Sequence, residues 1–405
     1  MPSETFQKDR ILINDFTPDE QVRVLLARLT PECWPIACES LPRGTALVGG
    51  AIRDALLGRQ SNHTDLDFVV PADALRHTQH LARTFGGTCV VLDGDRDTAR
   101  LILKGWTIDL ASQEGMSLEE DLWRRDYSLN AIALGIQPFG SLCDPTGGIH
   151  DLQKRRLRAI CESNLVDDPL RLLRGLRLLA EISLVLDTDT ALWIQRHRQA
   201  LAKSAPERIL SELQLLVKGA YADQVLQQLD QFQLLEPWAA TTPNPTQNQA
   251  ECLSDGETAT ALPLARLTGL ISDDGLKRLR ASKMLRHRCA RLRYWVERTA
   301  GQPDSLGEEE RLRLHQDLEK DLAALILWLP PQMQPQWLKR WRDTNDPLFH
   351  PIMPLNGVTL KRELGLEPGP KMGQVLAHLC LERAFGRIHS RDEALQTARQ
   401  FLRQN

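Results

Sequence analysis

The chain has 405 residues, a size for two to four domains. Hydrophobic residues make up 42% and charged residues 25%, which excludes a disordered chain, and no run approaches the ~18 apolar residues of a membrane span. The formal net charge of -3 argues against bulk polyanion binding, although 50 Lys and Arg are unevenly spread, with eight of them and no Asp or Glu between Lys277 and Arg293. The eight cysteines form no Cys-x-x-Cys pair, and MPSETFQKDR lacks the cationic and apolar regions of a signal peptide. Reduced thiols and a cytoplasmic protein are the expectation.

In chain order, Ala46–Val48 reads as a strand ending at Gly49-Gly50, followed by a helix over Ala51–Leu57 that Gly58 closes. Leu66, Phe68, Val69 and Val70 make the next strand, and Ala72–Phe85 a helix stopped by Gly86-Gly87. Three strands follow at Thr88–Leu92, Ala99–Leu103 and Trp106–Leu110. The first ~150 residues therefore predict a small α+β unit with a mixed or antiparallel sheet. From about Asp167 strand signals vanish. Leucine-rich amphipathic segments at 169–182, 190–202, 206–218, 222–234, 262–270, 275–298, 308–329 and 334–342 predict an all-helical remainder. Thr241–Thr258 reads as a polar linker.

Asp65 and Asp67 are two apart on a predicted strand, so their carboxylates share a face. A divalent cation resolves such a pair: Mg2+ takes carboxylates together with substrate phosphates. Two solvated acids at a strand start are the plain alternative. The pair follows LVGGAIRDALLGR, where Gly49-Gly50 lets a polyphosphate approach the backbone and Arg53 is placed to meet it. Asp109, in GWTIDLAS, lies on another predicted strand that would set it beside Asp65 and Asp67. In RRDYSLNAIALG, Arg124 and Arg125 can bind a triphosphate while Asp126 accepts from a ribose hydroxyl or orients an arginine. The same residues also read as a helix start capped by Asp126 or Ser128. DPTGGIHDLQKRRLRAI reads as a turn followed by a basic helix or strand, with His150-Asp151 structural.

DDPLRLLRGLRLLA opens the helical part, Asp168 as cap and Pro169 as first helical residue. Asp168 and Arg171 share a helix face. A carboxylate accepts and a guanidinium donates, a pattern that matches the pairing edges of adenine and cytosine and not those of guanine and uracil.

GGAIRD, DLDF, RRDYSLNA, DPTGG–DL and DDPLRLLR, in this order over about residues 45–180, resemble the bacterial class II tRNA nucleotidyltransferases and bacterial poly(A) polymerases. The resemblance implies a head with the DNA-polymerase-beta-like nucleotidyltransferase fold at 1–155, then all-helical neck (156–218), body (219–300) and tail (301–405). It implies catalytic, metal-binding Asp65 and Asp67; Asp109, from its place on the neighbouring strand, is the candidate for a third catalytic carboxylate, with a strand-end acid as the alternative. Gly49, Gly50, Arg53, Arg124, Asp126, Asn130, Asp167, Asp168, Arg171, Arg174 and Arg177 would bind the nucleotide. The family usually has Glu-Asp at 167–168 and Phe-Thr-Ile at 127–129, where this chain has Asp-Asp and Tyr-Ser-Leu. The implied activity is addition of C and/or A from CTP or ATP to the 3′ end of tRNA, with Mg2+ or Mn2+ as cofactor. Poly(A) polymerase is the alternative. Lys277, Arg278, Lys283, Arg286 and Arg288 would track tRNA phosphates. The tail segment Pro354–Leu376, with its Asn-Gly and Pro-Gly-Pro, is similar to one in many of these enzymes.

Overall fold

The computed structural model describes residues 17–59, 65–240 and 253–404, so the N-terminal decapeptide and most of the expected linker at 241–258 lie outside the described residues. The chain divides into two compact units, Met1–Ser204 and Ala205–Asn405.

The first unit opens with α1 (Pro18–Leu29), started by a Thr17–Glu20 capping box. β1 (Thr45–Val48) is buried along its length and leads through Gly49 into α2 (Gly50–Leu56). Next come β2 (Asp65–Val70), α3 (Ala74–Phe85), β3 (Thr88–Asp93), β4 (Thr98–Leu103) and β5 (Trp106–Ser112). α3 starts two residues later than its apolar pattern suggests, because Asp73 is left-handed and Asp97 caps the backbone N–H groups of Ala74 and Leu75 at 2.8 and 2.9 Å. α4 (Leu118–Trp123), capped by Ser117, precedes β6 (Ala133–Gln137) and β7 (Phe139–Cys143). The seven strands form one mixed sheet in the order β3-β4-β5-β2-β1-β6-β7, in which only β2 and β5 run parallel.

β6 and β7 correct the expectation of a helix start at Asp126 or Ser128. A 3-10 turn at Ser128–Asn130 leads instead into a strand that pairs with β1, and Ala133, Leu134 and Ile136 are buried. The run is apolar on both faces, so it carries no alternation to separate strand from helix. α5 (Gly148–Gln153) and β8 (Arg156–Leu157) follow, then α6 (Glu162–Asp167), α7 (Leu170–Glu181), β9 (Val185–Leu186) and α8 (Thr188–His197). β9 pairs in parallel with β8, so strand structure does not stop at Asp167 as expected. Asp151 of α5 is structural: it is fully buried, and accepts from Arg156 Nε (2.8 Å), Arg158 Nε (2.8 Å) and Ser128 Oγ (2.6 Å).

The second unit is helical: α9 (Pro206–Leu216), α10 (Ala222–Gln231), α11 (Asp255–Leu270), α12 (Asp273–Arg278), α13 (Lys283–Thr299), α14 (Glu308–Leu318), α15 (Leu322–Ile326), α16 (Gln334–Arg342), α17 (Gly357–Leu364), α18 (Pro370–Ala384) and α19 (Arg391–Gln404). Two single helices expected from periodicity are each broken. Arg280 (φ 55°) separates α12 from α13, and Glu319 (φ 37°) separates α14 from α15. Neither break contains the glycine that normally announces left-handed backbone. α11 begins inside the expected linker, at a Ser254–Glu257 capping box. Among the described residues, no helix is long and apolar enough to cross a membrane.

Candidate active site

The alternation of β2 puts Leu66 and Phe68 into the core and leaves Asp65 and Asp67 open on the other face. Trp34 packs edge-on against Phe68, with ring centroids 5.6 Å apart, and fixes that parity. Asp67 is the register partner of Asp109 on parallel β5, and Asp109 that of Arg100 on antiparallel β4. Partners in register share a face, so Asp67, Asp109 and Arg100 form a row across three strands. Arg100 binds Asp109 with both arms of its fork, Nε–Oδ1 at 2.8 Å and Nη2–Oδ2 at 2.9 Å. Asp67 is open to water on one side but backed closely by protein. That desolvation, with the charges of Asp109 and Asp65, pushes its carboxyl above the usual carboxylate range, against the pull of Arg125 and Arg100.

Gly49 sits beside this row. Its φ is 76°, and a Cβ there would lie 3.1 Å from Asp67 Oδ2, so glycine both permits the turn from β1 to α2 and leaves the carboxylate uncovered. Arg53 is buried. It donates to Asp54 at 3.0 and 3.0 Å and to Asn130 Oδ1 at 2.8 Å. Asn130 donates in turn to Asp126 Oδ1 (3.3 Å), and Arg174 donates to Asp126 Oδ2 (3.2 Å). Four of the expected nucleotide residues thus form one chain of hydrogen bonds. Burial alone would raise the Asp126 carboxyl, but Arg174 and Arg171 outweigh it and hold it below the usual range.

Tyr127 locks this strand-side segment to α7. Its hydroxyl donates to the Arg171 carbonyl at 2.8 Å, and the ring is fully buried against Gly175. A Cβ at Gly175 would come 2.0 Å from the Tyr127 oxygen. Arg171 donates from Nη1 to the carbonyls of Arg124 (2.9 Å) and Asn164 (3.0 Å), and Asp168 caps the N–H of Leu170 at 3.2 Å. A cleft of about 330 Å³ opens between these elements, and Arg96, Arg124, Arg125, Arg171 and Arg174 line it together with Asp126.

At the cleft wall Arg124 is exposed and only loosely paired with Glu114 at 3.6 Å. Not every expected residue meets there. Arg177 pairs with Glu181 on its own helix at 2.6 Å, and Asp167 is exposed at the end of α6. Arg100, beside the carboxylates, and Arg96, in the cleft wall, were not singled out in the sequence, whereas Arg125, named there as a triphosphate ligand, does line the cleft. Arg125 is held by Asp121 at 3.0 and 3.2 Å and acts on Asp67; its signal was the second arginine of the Arg-Arg pair. Arg100 is the one cation inside the otherwise apolar strand TARLIL, which was its signal. Arg96, in a turn, gave none.

Of the expected RNA-contacting residues, Lys277 and Lys283 are exposed. Arg278 donates to the Pro237 carbonyl (2.7 Å), Arg286 is half-buried, and Arg288 is bound to Asp321 (2.7 Å).

Residues 45–113 and 107–158 match the family model described as Poly A polymerase head domain, and 183–240 the one described as Probable RNA and SrmB-binding site of polymerase A. The fold is shared with the Thermotoga maritima CCA-adding enzyme complexed with tRNA (TM-score 0.66, 23% identity, 88% of this chain and 91% of that one). The chain is 31% identical to the CC-adding tRNA nucleotidyltransferase of Synechocystis sp., over 90% of its own length and 95% of the relative's. It is 32% identical to the CC-adding enzyme of Thermus thermophilus, over 87% and 92%. Similarity at this level along almost the whole of both chains shows the family, and the chain belongs to the class II tRNA nucleotidyltransferases.

Proposed function

We propose that this chain adds C from CTP to the 3′ end of tRNA, two residues in succession, with Asp65 and Asp67 as its catalytic carboxylates. The observation that carries the reading is that the acidic pair of β2 adjoins the arginine-lined cleft, close enough for Arg125 to act on Asp67. The restriction to CC is supported by the two relatives aligned along nearly their whole length, both CC-adding.

The donor set fits a hard divalent cation: it is all oxygen, it sits on one strand face, and the Asp67 carboxyl is pushed up by desolvation and by the negative charges of Asp109 and Asp65. Among the described residues, no three His, Cys, Asp or Glu side chains converge to hold an ion, so substrate phosphates would complete the shell around Asp65 and Asp67. We take the ion as Mg2+, with Mn2+ as a substitute; when bound it offsets phosphate charge and eases attack by the RNA 3′-hydroxyl on the α-phosphate as pyrophosphate leaves. Arg125 and Arg174 flank the triphosphate, and Asp126, held ionised, accepts from the ribose hydroxyl. Asp168 and Arg171 present the acceptor and donor that match the cytosine edge. Lys277 and Lys283 meet the tRNA backbone. We further propose the division into head (1–155), neck (156–218), body (219–300) and tail (301–405); the boundary after Ser204 falls inside this neck. The described cysteines are all free thiols, which supports a cytoplasmic place of work.

The test is nucleotide incorporation into tRNAs ending before CCA, at C and at CC, and into an unstructured RNA, each with CTP, ATP or both. Arrest after CC is expected. Completion of CCA, or addition of A alone to the CC-ending tRNA, would overturn the CC restriction, and long A tails on unstructured RNA would overturn the tRNA reading.

A further inference from the structure

Arg100 has no part in the reaction as described above, yet it stands in the row that carries the carboxylates. It is the cross-strand partner of Asp109 and binds it through both fork arms at 2.8 and 2.9 Å. Its charge is felt by all three acids: Asp109 raises its pKa through that hydrogen bond and its charge, and Asp65 and Asp67 add to the effect. On the other side of Asp109, at one strand spacing of about 4.8 Å, is Asp67. Without Arg100, two like charges would stand directly opposite each other, an arrangement that destabilises a sheet.

We propose that Arg100 is a positioning residue that holds Asp109 out of the cation's ligand set, so that the nucleotide-free site presents Asp65 and Asp67 alone and takes a divalent cation weakly. This rests on the catalytic reading of Asp65 and Asp67. The guanidinium already satisfies both Asp109 oxygens, and a bidentate pair of this geometry is stronger than a single contact. Asp109 therefore meets an incoming cation as half of a neutral pair. The third carboxylate expected from the sequence then acts as the anchor of Arg100, and the substrate phosphates supply the remaining ligands.

Mn2+ titration of the full chain without nucleotide, read by the loss of the free-ion EPR signal, tests this. Arg100→Met exposes one more unit of negative charge beside the cation and should tighten Mn2+ binding on the order of tenfold at these solvent-open positions. Arg100→Lys keeps the charge and should stay within about threefold of the parent chain. Asp109→Asn leaves Arg100 uncompensated and should weaken binding, and the double variant Arg100→Met/Asp109→Asn should return close to the starting affinity. Unchanged Mn2+ affinity in both Arg100→Met and Asp109→Asn would make the pair a structural strap and overturn the proposal. Mn2+ binding that survives Asp65→Asn/Asp67→Asn would instead overturn the parent reading.

Discussion

The arginines of the sheet-bearing unit and those of α13 in the helical unit carry the same charge and meet different fates. In the first unit, Arg96, Arg124, Arg125, Arg171 and Arg174 converge on one cleft, and hydrogen bonds hold Arg125, Arg171 and Arg174 at its wall. In α13 four arginines bond to other parts of the helical unit instead. Arg288 binds Asp321, Arg291 reaches the Asp317 carbonyl, Arg293 donates to the carbonyls of Thr268 and Ile271, and Arg298 pairs with Glu310. These bonds tie α13 to its neighbouring helices. The denser basic run in the sequence is thus the poorer candidate for phosphate binding, because its arginines bridge helices one by one, whereas those of the first unit share one cleft.

Four predictions would break or sharpen this contrast. Asp67→Asn removes a proposed catalytic carboxylate of β2 and should lower nucleotide incorporation on the order of 10³-fold. The melting temperature should hold or rise, since a crowded negative charge is gone. Retention of the parental rate would end the catalytic assignment. Gly175→Ala places a methyl group against the Tyr127 hydroxyl and should cost about 3 kcal/mol in chemical denaturation. It should also raise the KM for CTP by shifting α7 against Asp126. A neutral outcome on both measures would mean that α7 and the Tyr127 segment are not rigidly joined.

The third prediction contrasts how the units respond to acid. Burial pushes the His315 imidazole down to about 3; Arg340, Arg311 and His350 add to the effect and Asp346 opposes it. The unfolded chain takes up a proton near pH 6.5 that the folded chain refuses until about pH 3, so stability falls as the pH drops through that window. From pH 7 to pH 5 the loss should be about 2 kcal/mol for the helical unit. His315→Phe, placed between Trp337 and Phe349, should remove this dependence in a calorimetric scan. Asp126 in the first unit responds in the same direction but over a more acidic window. Its carboxyl is held below the usual range, so its contribution is present above about pH 4 and disappears only in stronger acid. An equal acid response with and without His315 would show that its proton is not excluded. The smallest effect belongs to the surface lysines. Lys277→Glu or Lys283→Glu should weaken tRNA binding about threefold to tenfold and flatten its salt dependence. Arg288→Ala should lower the melting temperature and leave tRNA affinity within about twofold, and a larger loss of affinity would return Arg288 to the RNA surface.

Much of the first unit was legible in the amino-acid order. Short strands with clear punctuation, such as Thr88–Asp93 and Thr98–Leu103, emerged within a residue of their expected bounds. The spacing of Asp65 and Asp67 dictated a shared face once β2 was a strand. The less legible parts had physical causes. β6 is apolar on both faces, and the left-handed turns at Arg280 and Glu319 rest on tertiary packing where no glycine marks them.

Residue types and their local periods were enough to set the α+β beginning, the helical continuation and the acidic pair, because alternation and capping act over a few residues. Which charges stay available was decided only by the tertiary structure. The same side chain serves a substrate or a neighbouring helix according to what lies within hydrogen-bond reach. For Asp109 that is Arg100 at 2.8 Å, nine residues earlier in the chain and directly opposite in the sheet.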